Sequence, residues 1–114
     1  MDKTNQLQFR YAAVVLKSEQ AMPVRVMVEQ ELASCVYYVV RGGSDEQREQ
    51  LHALIEKEVV CRLDLSRGRR QMIICRANEA LSDAENIAMH QRILASVFGS
   101  NNRISVRFMR RIAL

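Results

Sequence analysis

Arginine is the residue type whose number and spacing best define a chemistry in this chain. Of the 17 basic residues, 14 are arginine and three are lysine. Near the carboxyl end, Arg103, Arg107 and Arg111 alternate with small or apolar residues. Successive side chains of an extended strand point to opposite faces of a sheet, so these three guanidinium groups would share one face. Because a guanidinium group binds phosphate or carboxylate through two parallel hydrogen bonds, the pattern predicts recognition of an anion.

A second group of arginines surrounds Gly68, where the sequence predicts a turn. The predicted binding set for an acidic partner combines this group with the last strand: Arg67, Arg69, Arg70, Arg103, Arg107, Arg110 and Arg111. The formal net charge of +4 permits nucleic acid or an acidic protein as that partner without requiring either. Nucleic acid is the preferred candidate, since arginine both binds phosphate and stacks on bases.

Patterns typical of catalysis or metal binding are weak. Three widely spaced cysteines, Cys35, Cys61 and Cys75, include no Cys-x-x-Cys pair, which argues against a disulfide framework and against a zinc knuckle. We expect Cys61 and Cys75 to point inward, toward the helices, where a thiol is a poor nucleophile. His52 and His90 are expected at the boundaries of helical apolar stripes. The sequence therefore predicts a protein that is not an enzyme and that uses no metal and no cofactor.

The elements that must position the arginines follow a recognisable order. Two capping boxes, at Ser44–Gln47 and Ser82–Glu85, predict helices over residues 44–58 and 82–98. Runs rich in strand-forming residues predict strands over 34–41, 59–65, 70–77 and 103–111. This order is that of a ferredoxin-like β-α-β-β-α-β sandwich of the α+β class, covering residues 34–111, with spatial strand order 4-1-3-2. We expect residues 1–114 to form a single domain.

Alternation within the strands assigns each side chain to a face. One face is apolar and is expected to pack against the two helices; Cys61, Leu63 and Leu65 are placed on it, which leaves Arg62 and Asp64 on the other face. The other face has an apolar centre inside a rim of arginines. That centre is the predicted interface set: Tyr37, Val39, Met72, Ile74 and Met109.

Two functions compete for this second face. An open four-stranded sheet is the platform on which RNA-recognition motifs bind bases, but Met72 and Ile74 stand where stacking aromatic residues would be needed. An apolar centre with an arginine rim is equally typical of a protein interface, and the amino-terminal segment or a second copy of the chain could cover it.

The first 33 residues are predicted as an amino-terminal β-hairpin or extension. Residues 7–17 alternate as a strand, and Val24–Val28 alternates as a second one after a turn at Pro23. The spacing of Val28 and Leu32 also fits a helix from Val24 to Val40, and periodicity alone leaves this alternative open.

Taken together, these patterns predict a small binding or regulatory protein that forms a homodimer through the sheet face or the amino-terminal hairpin. The alternative is a protein–protein adaptor or secretion-type chaperone. A third class is a small-molecule sensor, in which amides at the helix start after Gly42 and Gly43 bind an anion. No apolar stretch approaches the roughly 20 residues that span a bilayer, and the first residues lack a signal-peptide pattern, so we expect a cytoplasmic protein without membrane contact.

Overall fold

The structure, a computed structural model, describes residues 18–100 and 103–111. Within these ranges no helix has both the length and the apolar character needed to cross a membrane. Seven elements follow one another: α1 (Ser18–Glu29), β1 (Ser34–Arg41), α2 (Asp45–Ile55), β2 (Val59–Asp64), β3 (Arg70–Arg76), α3 (Asp83–Phe98) and β4 (Val106–Arg110).

Helices α2 and α3 begin at the two predicted capping boxes. The hydroxyl of Ser44 accepts a hydrogen bond from the backbone N–H of Gln47 at 3.1 Å, and the Ser44 N–H donates to the Gln47 side chain at 2.9 Å. Ser82 and Glu85 repeat this exchange at the start of α3, with both distances 3.1 Å. Each box satisfies two backbone groups that the first helical turn leaves without a partner, and both predicted helices are confirmed.

The four strands form one antiparallel sheet in the order β2-β3-β1-β4. The predicted spatial order of the strands is therefore confirmed. The last strand is shorter than predicted, because residues 103–105 are not in strand conformation. The order of all seven elements is α-β-α-β-β-α-β, and this α+β arrangement differs from a plain ferredoxin-like domain because α1 precedes the first strand.

The first core lies between one face of the sheet and helices α2 and α3. Its fully buried members include Val36 and Tyr38 on β1, Ile73 and Cys75 on β3, and Leu94 on α3. Cys75 was predicted to point toward these helices, and the structure confirms it. Val106 extends the same core onto β4, where it pairs with Tyr38.

The predicted amino-terminal hairpin is wrong within the described residues. Val24–Val28 lies inside helix α1, which includes Pro23 and ends at Glu29 rather than continuing toward Val40. Just after the helix ends, the backbone N–H of Leu32 donates a hydrogen bond to the Met27 carbonyl at 2.8 Å. Residues 7–17, the other predicted strand, lie outside the described residues.

A second core lies on the opposite face of the sheet, beneath α1. Val24 and Met27 from the helix are buried, with exposed fractions of 2% and 0%. They belong to one cluster with Leu32 and with sheet residues that include Met72 and Ile74. Burial of this apolar surface explains why the segment is helical: tertiary contacts outweigh the interior proline and the strand-like alternation of Val24–Val28.

The faces of β2 were also predicted wrongly. A β-bulge interrupts the register between Val59, which pairs with Cys75, and Cys61, which pairs with Ile74. The extra residue in a bulge reverses the alternation of the strand beyond it. Cys61, Leu63 and Leu65 consequently pack against the second core, whereas Arg62 and Asp64 lie opposite Ile73 and Gln71 on the side of α2 and α3.

Candidate functional site

Most of the predicted binding arginines lie at one of the two opposite ends of the sheet, and Arg107 lies between them. Arg67, Arg69 and Arg70 lie where β3 begins and β1 ends, since Arg70 pairs with Arg41. Arg110 lies at the other end, opposite Ser34. Seven residue steps along β1 separate the two ends, which corresponds to about 23 Å. The predicted set is therefore not one continuous surface.

The strand register places four arginines at the first of these ends, which we call the arginine end and define by Arg41, Arg67, Arg70 and Arg103. The Arg70 side chain donates through Nε to the Arg67 carbonyl at 2.9 Å. Arg103 precedes β4 at this end, because β4 runs antiparallel to β1. Arg41 was not in the predicted binding set, although its position at the end of the first strand on the same face could have indicated it.

The exposed members of the arginine end form no ion pairs in the described ranges, although the adjacent Arg69 pairs with Asp45. Arg41, Arg67 and Arg103 are exposed, and no carboxylate in the described ranges forms an ion pair with any of them. Their charges are compensated mainly by solvent and counterions, which an incoming polyanion would displace.

Of the remaining predicted arginines, Arg69, Arg110 and Arg111 form other contacts, and Arg107 lies apart from the arginine end. Arg69 forms an ion pair with Asp45 at 2.8 Å, and Arg110 forms one with Asp83 at the start of α3. Both pairs are well exposed, so each contributes little to stability. Arg111 is half-buried, and its backbone N–H donates to the Ala33 carbonyl at 2.7 Å. Arg107 is exposed beside Tyr37, midway along the sheet.

Arg48 holds the loops of the arginine end together, and sequence reasoning missed it. Its Nε donates to the Gly42 carbonyl at 2.8 Å, and a second guanidinium nitrogen donates to the Arg69 carbonyl. These bonds connect the turn after β1 to the hairpin turn between β2 and β3. Arg69 has a positive φ of 42°, so its carbonyl is directed by a backbone conformation that few non-glycine residues adopt.

The predicted interface residues lie on the expected face, but α1 covers them. Met72 and Ile74 are buried, with exposed fractions of 1% and 0%, and Tyr37 is 7% exposed. Val39 and Met109 are half-buried at the border of the second core. Burial raises the pKa of Tyr37, against an opposing effect of Arg107. Much of the apolar centre is therefore enclosed within the chain by its own amino-terminal helix.

The residues that resemble catalytic groups are enclosed in the first core. The Tyr38 hydroxyl lies 3.5 Å from Nδ1 of His90 and 3.9 Å from the sulfur of Cys75. Burial raises the pKa of the Cys75 thiol to about 12 and lowers the pKa of His90. A neutral thiol and a neutral imidazole without access to solvent are poorly placed for nucleophilic chemistry.

The burial of His90 differs from the prediction. It was expected at the boundary of the apolar stripe of its helix, yet it is buried, with an exposed fraction of 1%. Burial also raises the pKa of the Cys35 thiol, beneath α1, to about 12. Cys61 lies on the α1 side and not toward the helices α2 and α3 as expected. Among the described residues no group of three or more His, Cys, Asp and Glu side chains could hold a metal ion.

Comparisons with known proteins give no family for this chain. No protein-family model matches it, and no curated protein and no solved structure shows significant similarity.

Proposed function

We propose that this protein is a non-enzymatic binding module, built on a ferredoxin-like core with an added helix, that binds nucleic acid through the arginine end. The observation that carries the proposal is the placement of Arg41, Arg67 and Arg103 at one end of the sheet, exposed and without an ion-pair partner in the described ranges. Guanidinium groups bind phosphate oxygens in a bidentate way and keep their charge at every relevant pH.

The pairing of two arginines across the sheet supports an anion at this place. Arg41 and Arg70 are direct partners on neighbouring antiparallel strands, where Cα atoms lie about 4.5–5.5 Å apart. Like charges directly opposite each other destabilise a strand pair. A phosphate group bound by the exposed Arg41 would reduce this repulsion, so binding and local stability would reinforce each other.

The mode of recognition follows from the residues that surround the arginine end. Tyr37 is the only aromatic residue on this face among those described, and α1 buries it. Without an exposed aromatic ring on this face in the described ranges, there is no stacking platform here of the kind that binds single-stranded RNA or DNA. We therefore expect contacts to phosphate rather than to bases, with little sequence preference and little preference for single over double strands.

Affinity for labelled oligonucleotides, measured by fluorescence anisotropy across salt, tests the proposal. With three phosphate contacts, log K should fall against log salt with a slope of about −2.7 for duplex and about −2.1 for single strands. The double variant Arg41→Ala/Arg67→Ala should reduce the duplex slope to about −0.9. Arg92→Ala, an exposed arginine on α3, is the matched control and should leave the slope unchanged.

Two results would overturn the proposal. Absence of binding at about 50 mM salt, where phosphate contacts are strong, would eliminate nucleic acid as the partner. An unchanged slope in the double variant would show that binding occurs elsewhere. The adaptor or chaperone alternative predicts the first result together with binding of an acidic peptide. The small-molecule sensor gains no support, because the capping box of α2 already uses the Ser44 and Gln47 amides.

A further inference from the structure

Strand β2 is an edge of the sheet whose outer side has no partner strand among the described residues. The backbone N–H of Leu65 donates to the Arg70 carbonyl of β3 at 3.0 Å. In an antiparallel ladder the N–H and C=O groups of one residue point to the same side, and this side alternates along the strand. Leu63 and Leu65 thus face β3 with their backbone groups, whereas Arg62 and Asp64 present theirs to the open edge.

The side chains along this edge have an unusual distribution. Leu63 and Leu65 are half-buried at the border of the second core, so part of their apolar surface remains exposed. Arg62 and Asp64 are exposed on the other face, and the Gln71 side chain donates to the Asp64 carboxylate at 3.1 Å. Opposite charges two residues apart, on one face of an edge strand, are complementary to a reversed copy of themselves.

We propose that β2 pairs in antiparallel fashion with β2 of a second copy of this chain, about a two-fold axis at Leu63. Arg62 of each copy then lies opposite Asp64 of the other, which forms two ion pairs related by symmetry. Leu63 meets its own counterpart, and Cys61 meets Leu65. The two sheets become one continuous sheet of eight strands, in which the second cores of both copies are neighbours.

The direction of the backbone groups and the charges select this register. Residues that present their N–H and C=O to the open edge must face residues that do the same, so Arg62 can face only another even-numbered position. A shift of the two-fold axis by one residue places Arg62 opposite Arg62 or Asp64 opposite Asp64, and like charges directly opposite are destabilising. With the axis at Leu63, this residue occupies a non-hydrogen-bonded pair, where side chains approach most closely.

Strand β2 contains charged residues and a bulge, features that normally prevent pairing at a sheet edge, but their positions here are compatible with the proposed dimer. Charged residues and bulges commonly prevent edge strands from pairing. Here the bulge lies at the beginning of β2, between Val59 and Cys61, and leaves Arg62 and Asp64 in regular register with β3. The two charges have opposite sign, so an apolar strand would leave both without a partner, whereas a reversed copy of β2 pairs both. An open groove of about 440 Å³ between α2 and β2, lined in part by Arg48, Glu49 and Arg62, adjoins the same edge and would be covered in the dimer.

Charge exchange tests this pairing by sedimentation equilibrium at low salt. The wild-type chain should dimerise, and both Arg62→Asp and Asp64→Arg should weaken self-association about tenfold or more, because each creates like-charge contacts across the axis. The double variant Arg62→Asp/Asp64→Arg should restore the dimer. An equimolar mixture of the two single variants should form a heterodimer, since every pair across the axis then has opposite charges.

Several results would overturn the proposal: a monomeric wild-type chain at high concentration, a dimer that neither single variant weakens, or single variants that do not associate when mixed. Circular dichroism of each variant establishes that it is folded. The double variant Arg41→Ala/Arg67→Ala should leave the dimer intact, and both single β2 variants should still bind oligonucleotide as monomers. Failure of this dimer and failure of nucleic-acid binding are therefore separate results.

Discussion

Truncation of Met27 tests whether α1 is an integral part of the fold. Met27 is fully buried beneath the helix, in one cluster with Leu32, Met72 and Ile74. The substitution Met27→Ala removes three heavy atoms from this cluster, and at about 0.8 kcal/mol for each buried group the lost transfer free energy is about 2.4 kcal/mol. An incompletely filled cavity adds to this loss. We expect the free energy of unfolding to fall by about 3 kcal/mol, within the range of 2–5 kcal/mol typical of such truncations.

Urea denaturation followed by far-ultraviolet circular dichroism measures this change. Arg25→Ala provides the matched control, because Arg25 lies on the same helix but is exposed, and it should change the free energy of unfolding by no more than about 0.5 kcal/mol. The slope of the transition should be the same in both variants, since α1 and the sheet unfold together.

A loss below about 1 kcal/mol for Met27→Ala would refute this account of the second core, because surface truncations have effects of that size. The sheet face that contains Met72 and Ile74 would then be open to solvent or to a partner. The predicted interface residues would then be accessible for contact with a partner.

Two further predictions concern the first core and its border. Burial lowers the pKa of His90 from its ordinary value of 6.5, so as pH falls the unfolded chain binds the proton before the folded chain does. The free energy of unfolding should therefore decrease below about pH 6.5, by up to 1.4 kcal/mol per pH unit. His90→Phe should abolish this pH dependence in urea titrations at several pH values, and a dependence that persists would belong to another group. A Cβ at Gly43 would lie 2.7 Å from Cε1 of Phe98, whereas one at Gly42 meets nothing within 4 Å, and both glycines have positive φ, 78° and 72°. Both alanine variants should lose about 1 kcal/mol to backbone strain, with a larger decrease in thermal stability for Gly43→Ala; equal losses would contradict close contact between this turn and Phe98.

Local sequence signals predicted most of the architecture from residue 34 onward. Capping boxes at Ser44 and Ser82 specify helix starts through hydrogen bonds within four residues, so no distant contact is needed to recognise them. The strand order follows from the sequence of elements and from the apolar alternation of β1, β3 and β4. These features depend on local chemistry and on simple connection rules.

Two features were decided by contacts that the local pattern does not contain. Val24–Val28 alternates like a strand, yet the burial of Val24 and Met27 against the sheet makes it helical despite Pro23. The bulge between Val59 and Cys61 adds one residue to β2, and a single added residue reverses every later side chain. Parity rules cannot detect such an insertion without the partner strand.

The arginine set predicted from the sequence coincides only in part with the arginine end. Arginines at the hairpin turn were correctly placed together, since they are close in the sequence. Arg110 and Arg111 were assigned to the same surface, but the antiparallel register places Arg110 opposite Ser34 at the far end of the sheet. Arg41 and Arg48 join the hairpin turn only through the fold, because Arg41 is the strand partner of Arg70 and Arg48 bonds to the Arg69 carbonyl.

The central position of β1 limits how this chain can vary. β1 is flanked by β3 and β4 and has one core on each side, so Cys35, Val36, Tyr37 and Tyr38 are all buried in succession. Nearly every substitution in this strand changes the volume of a core, and close-packed interiors tolerate such changes poorly. Divergence between homologous chains should therefore spare β1 and accumulate in turns and on the outer sides of the helices. The strand between the two cores would change most slowly, even though the charged surface that we assign to binding lies at its end.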